Sequence, residues 1–190
     1  MSLRASSPLR GATALPLLFA RLMAIALVVV CASANAQTTP APYDAVGRLT
    51  RAGQFDDAIR QAQQYVDQHP RDPQMRFLLG VAQNEKGDVA AARDTFTRLT
   101  QEFPELPEPH NNLAVLHAAA GRYDEARVAL EAAIRANPSY AVALENLGDV
   151  YARLAQRSWL RAQQIDNGNP RLAPKLKAVQ GLLVAPATPN

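Results

Sequence analysis

From Tyr43 onward, apolar residues recur at the three- and four-residue spacing of helices, in blocks broken by a glycine or a proline. The breaks keep a fixed step. Gly53, Gly87 and Gly121 stand 34 residues apart, as do Ala58, Ala92 and Ala126, and Pro70, Pro104 and Pro138. A single globular domain has no reason to repeat its turn, its small residue and its stop in one register. A solenoid does, because each unit must turn, pack and end alike. The expected architecture is all-α, an α-solenoid of antiparallel helix pairs.

A Pro/Thr-rich linker over residues 37–42 leads into units at about 43–72, 73–106 and 107–140. In each unit the glycine separates two helices, because it can take the left-handed backbone that ends the first. The proline closes the second, since it cannot continue a helix interior. An acidic residue opens each second helix (Asp56, Asp88, Asp124), where it can cap free N–H groups and meet the positive end of the dipole. Ala58, Ala92 and Ala126 are expected to face Val46, Gly80 and Ala114, with Gly148 in a fourth unit, so that paired helices approach closely. Leu79, Phe96, Leu99, Leu113, Leu116 and Leu130 then fill the space between layers.

Asn112-Leu113-Ala114, Gly121-Arg122-Tyr123-Asp124-Glu125-Ala126 and Asn137-Pro138 together resemble the tetratricopeptide repeat (TPR), a helix–turn–helix unit of this length. Gly53-Gln54-Phe55-Asp56-Asp57-Ala58 is similar to the same pattern, and the resemblance runs from about Tyr43 to Pro170. Against the family pattern, Ala62 stands where a bulky residue is usual and Tyr65 where a small one is, which reads as an exchange of volume within one layer.

The fourth unit departs further. It opens normally with Leu144, Leu147, Gly148 and Tyr151 and ends normally with Trp159, Ala162, Ile165 and Asp166, but about five residues and the turn glycine are missing between. No Gly or Pro occurs from Asp149 to Asn167, and the apolar spacing continues across the join. One helix is therefore expected from about Tyr140 to Asp166 in a degenerate unit at 141–170. A capping helix over about 171–183 should fold back on it, because a solenoid end needs covering. Residues 184–190 are expected to be a disordered tail.

Charge changes the picture mainly at the amino terminus. The formal net charge is +3, but residues 1–36 carry Arg4, Arg10 and Arg21 with no acidic residue, and the remainder balances 17 basic against 17 acidic side chains. Nothing in that balance calls for nucleic acid. Arginines, the apolar run Leu22–Ala32 and Ala34-Asn35-Ala36 together read as a secretory signal cleaved after Ala36. The run is too short to span a bilayer, which takes about 20 residues, and an uncleaved amino-terminal anchor is the alternative. Cys31, the only cysteine, follows Val30 rather than the small residue that lipidation signals carry, so it is expected to leave with the signal. Disulfide and thiol chemistry would leave with it.

No catalytic constellation emerges, and an enzyme is not expected. His110 and His117 lie seven apart on one helix and could share a metal, but no carboxylate or thiolate stands at ligand spacing. By the resemblance they occupy slots that usually hold core aromatics, and His69 precedes a stopping proline. No phosphate loop or nucleophile–histidine–acid order appears. No metal, cofactor or small-molecule substrate is expected.

What remains is surface. The resemblance implies that the first helices of successive units line a concave groove for a peptide or a partner helix. That groove would draw on Phe77, Val81 and Asn84, then Asn111, Asn112 and Val115, then Glu145, Asn146 and Asp149. Asn112 and Asn146 are its leading members, since a side-chain amide both donates and accepts toward an extended backbone. Some TPR domains hold a terminal carboxylate with lysines and an arginine. The matching places here are Gln74, Phe77, Asn111, Asn112, Val142, Glu145 and Asn146, so that specificity does not transfer, and the mixed apolar and acidic lining suits an apolar or basic segment. Trp159 fits either the core beneath the last helix or an anchor for a partner or a second copy. The expected protein is a non-catalytic scaffold of the bacterial cell envelope, periplasmic once its signal is removed. The alternative is a membrane-tethered assembly factor that dimerises through its carboxy-terminal helices.

Overall fold

The structure, a computed structural model, describes residues 41–184. The expected signal at 1–36, linker residues 37–40 and the tail at 185–190 lie outside the described residues. Among the described residues eight helices follow one another: α1 (Pro42–Arg51), α2 (Phe55–Gln68), α3 (Pro73–Lys86), α4 (Val89–Glu102), α5 (Pro107–Ala119), α6 (Tyr123–Ala136), α7 (Ala141–Ile165) and α8 (Leu172–Val184). No strand occurs among the described residues. Each helix packs on the next in sequence, and α1 also touches α3 while α5 touches α7, the contact pattern of an α-solenoid.

The three turns are built alike. Gly53, Gly87 and Gly121 have φ of 73°, 88° and 72°, the left-handed region that a side chain would strain. After each glycine the next residue (Gln54, Asp88, Arg122) donates its N–H to the carbonyl five residues back (Leu49, Gln83, His117) at 2.9 Å. These are Schellman-type closures that satisfy carbonyls left over at the helix end.

The acidic residues after the turns divide into two kinds. Asp88 caps α4, its carboxylate accepting from the Ala91 N–H at 3.2 Å. Asp56 and Asp124 do not cap. They sit three residues after their glycine rather than one, already inside α2 and α6, and reach the next unit to pair with Lys86 of α3 and Arg157 of α7. The other capping carboxylate is Asp72, which accepts from the Met75 N–H at 3.0 Å and opens α3.

Three buried clusters join the units. Val46, Ala58 and Ala62 pack with Met75, Leu79 and Ala82; Ala92, Phe96 and Leu99 pack with Leu116; Ala114, Ala126, Leu130 and Ala133 pack with Ala143 and Val150. Each cluster reaches the first helix of the following unit, so no unit is closed by itself. The volume exchange runs across the helix pair: Val46 shares a cluster with Ala62, whereas Gly80 faces Phe96 so closely that a Cβ would lie 2.7 Å from the ring. Tyr65 is half-buried against the cluster of Val46 and Ala62, tilted on Tyr43 at 5.7 Å, and stacks on His69 with ring centroids 4.3 Å apart.

The chain departs from the repeat at α7. As expected, Ala141–Ile165 is one continuous helix of 25 residues, about 37 Å long. The capping helix α8 packs on its second half, burying Leu172 and Val179. Lys175 lies 5.6 Å from the Trp159 ring centre, so Trp159 is part of this α7–α8 contact. The first half of α7 has no second helix of its own. Gly148, placed like Gly80 in its unit, has nothing within 4 Å of where a Cβ would be, and Leu144 and Tyr151 on either side are each 49% exposed.

Candidate functional site

The face shared by the first helices α3, α5 and α7 holds two openings. The larger, a cavity of about 460 Å³ between α5, α6 and α7, has Val115, Ala118, Leu130 and Val150 in its wall and Asn146, Asp149 and Arg153 among its polar lining. The second, about 290 Å³, lies where α3 meets the start of α5 and is lined by Pro73, Gln74, Phe77, Leu106, Glu108 and Pro109.

Of the residues expected to form a groove, the structure brings Val115, Asn146 and Asp149 together around the larger cavity and places Phe77 at the smaller. Asn84, Asn111, Asn112, Glu145 and Val81 line neither. Phe77 and Val81 are half-buried against the cluster of Phe96 and Leu99, Phe77 in a tilted contact with the Phe96 ring at 5.8 Å. Asn84 is half-buried near the end of α3, where its carbonyl accepts from the Gly87 N–H.

The asparagines are partly committed within the protein. Asn146 donates from Nδ2 to the Oδ1 of buried Asn111 at 2.9 Å, tying α7 to α5. Asn112 donates to the Glu108 carbonyl at 2.9 Å, within its own helix. Each amide keeps further hydrogen-bonding capacity, but less than a free one. Val115 is 44% exposed, and Glu145 and Asp149 lie in water.

Sequence reasoning missed Arg153. Its signal was available, since it follows Asp149 by four residues and so shares its helix face. It also missed a buried cation on α3, next to Phe77. Arg76 is 8% exposed and makes a two-pronged pair with Glu102 at 2.6 and 2.8 Å, and its guanidinium lies 5.8 Å from the Phe103 ring centre. The Arg76 hydrogen bonds hold the Glu102 carboxyl below the usual carboxylate range. This pair fixes α4 against α3, from which Phe77 projects.

His110 and His117 line a separate cavity of about 520 Å³ between α5 and α6, with Leu113, Val128 and Ala132. His117 accepts from Arg122 Nε at 3.1 Å through Nδ1, and burial, then Arg122, push its pKa down. The same cavity is lined by Asp124, Glu125 and Arg127. Among the described residues no group of three or more His, Cys, Asp or Glu side chains is placed to hold a metal ion. No helix among them is long and apolar enough to cross a membrane.

Comparison with known proteins decides the family. Residues 43–107 and 84–146 match two family profiles, each described as tetratricopeptide repeat. This chain belongs to the TPR family. Among curated proteins it is similar to a probable biofilm formation methyltransferase, WspC, of Pseudomonas putida, 33% identical over 91 residues. It is also similar to the TPR repeat-containing thioredoxin TTL4 of Arabidopsis thaliana, 38% identical over 71 residues. These matches take in 48% and 37% of this chain but only 22% and 10% of the relatives, so they carry no whole-protein activity across.

Solved structures share the fold. A thermophilic TPR protein of Thermus thermophilus superposes with a TM-score of 0.56 at 23% identity, over 75% of this chain and 81% of its own. MamA gives 0.54 at 22%, over 73% of this chain and 85% of its own. The first TPR of Spaghetti (RPAP3), bound to the HSP90 peptide SRMEEVD, gives 0.56 at 17%, over 60% of this chain and 90% of its own.

Proposed function

We propose that this TPR protein is a non-catalytic scaffold that holds a peptide or a partner helix against the shared face of α3, α5 and α7. The observation that carries this reading is the cavity between α5, α6 and α7. Its wall is apolar (Val115, Leu130, Val150), and Asp149, Arg153 and Asn146 supply charge and an amide beside it. Apolar wall for affinity and a few polar groups for orientation is the usual composition of a recognition site. The peptide-bound RPAP3 domain is a precedent for a TPR fold that binds a peptide.

The preferred ligand is an extended or helical segment with a large apolar side chain beside a basic residue. Glu108, Glu145 and Asp149 make this face more acidic than basic, and the places where some relatives carry carboxylate-binding lysines hold Gln74, Phe77, Asn111, Asn112, Val142, Glu145 and Asn146. We place the scaffold in the bacterial cell envelope, exported by residues 1–36 and released after Ala36. The mass of the exported protein separates that from a retained anchor.

A displayed random-peptide library, selected on the purified chain, tests the groove. Enriched peptides should carry an apolar residue flanked by Lys or Arg, and Val115→Asp or Asp149→Lys should weaken them at least about tenfold. Peptides that bind both variants as well as the unaltered chain would rule this face out.

A further inference from the structure

One stripe of α7 is complementary in charge to its own reverse. Val142, Glu145, Asn146, Asp149, Arg153, Gln156, Arg157 and Leu160 fall within about 120° of the helix circumference. The stripe is acidic before Tyr151 and basic after it. Val142 and Leu160, at its two ends, are 50% and 45% exposed. Residues equally far from Tyr151 are complementary: Asp149 with Arg153, Glu145 with Arg157, Asn146 with Gln156, Val142 with Leu160.

We propose that α7 is a self-association surface, occupied by α7 of a second copy running antiparallel across a two-fold axis. The axis passes between Asp149 and Arg153, level with Tyr151 along the helix but on the opposite face from its side chain. In that arrangement each acid of one copy faces a base of the other, and the two amides meet. Val142 and Leu160 then close a small apolar contact at each end. A two-fold contact of this kind is self-complementary and closes as a dimer rather than growing into a filament.

Charge complementarity is what selects a second copy as the occupant. Among the described residues, Glu145, Asp149 and Arg153 form no ion pair, and Arg157 shares only an exposed pair with Asp124, 55% and 61% exposed. Its guanidinium can serve a second carboxylate. A regular TPR unit would end its first helix near Arg153 and leave Gln156, Arg157 and Leu160 off it. The missing turn adds them to the same helix. The inference does not rest on the groove reading, although Glu145, Asn146 and Asp149 belong to both surfaces, so pairing and peptide capture would compete there.

Sedimentation of the purified chain tests it without any peptide. At about 50 µM in low salt the dimer should predominate, and about 1 M salt should shift it toward monomer by screening the exposed charges. Glu145→Arg with Asp149→Arg, and separately Arg153→Glu with Arg157→Glu, should each give monomers with unchanged helical circular dichroism. An equal mixture of the two should restore a dimer, because one then presents only bases and the other only acids. Leu160→Gln should weaken the unaltered dimer at least about tenfold. A chain that stays monomeric in low salt, a dimer that survives either reversal, or a mixture that fails to pair would each overturn the proposal.

Discussion

Gly80 and Gly148 occupy the same place in the second and fourth units, and their surroundings are opposite. Gly80 lies against the Phe96 ring, where a Cβ would approach to 2.7 Å; Gly148 meets nothing within 4 Å. In the second unit α4 covers α3, held by Arg76 and Glu102 and packed through buried Phe96 and Leu99. The fourth has no counterpart of α4 over its first half, because the chain that should have turned back continues as α7. A glycine inside a helix is thus a packing requirement in one unit and a remnant in the other. The repeat pattern alone does not say which.

Substitutions that treat the two units alike should give unlike results. The largest effect belongs to Phe96→Ala, which empties the second unit's centre and should cost about 3–5 kcal/mol in urea denaturation. Gly80→Ala should cost about 1–3 kcal/mol, since the backbone or the Phe96 ring must shift to admit a methyl. Gly148→Ala should have the opposite sign, raising stability by about 0.5–1 kcal/mol, because only helix propensity changes.

The smallest effect is one of pH. Arg76 depresses the Glu102 pKa in the folded state, so the pair's contribution is present above the unfolded carboxylate value and is lost as pH falls through the folded one. Glu102→Gln should flatten the acid limb of a stability–pH curve. The fourth unit has Leu144 where the second has Arg76, so this pair has no equivalent there.

The turns were legible in sequence because a left-handed backbone has essentially one answer, and three glycines in register give it. The long helix was legible for the converse reason: from Asp149 to Asn167 nothing could break it. Side-chain contacts between helices were not legible, within a unit or across units. Arg76 and Glu102 are 26 residues apart, Asn111 and Asn146 are 35 apart, and no local pattern marks either pair. Asp56 and Asp124 misled because an acid near a helix start reads as a cap, and two positions decide whether it caps its own helix or braces the next unit. The groove was legible only in part, since the resemblance chose positions while the cavity depends on how far α7 stands from α5.

The contrast between the two units requires α7 to be one helix whose first half has no second helix of its own unit against it. Spin labels at Leu144 and Gln163, in a chain whose sole cysteine is removed by Cys31→Ser and diluted with unlabelled protein, measure this directly. A continuous helix sets the two sites about 28 Å apart. A separation near 10 Å, the spacing of packed antiparallel helices, would mean that the fourth unit folds back like the others and would contradict it.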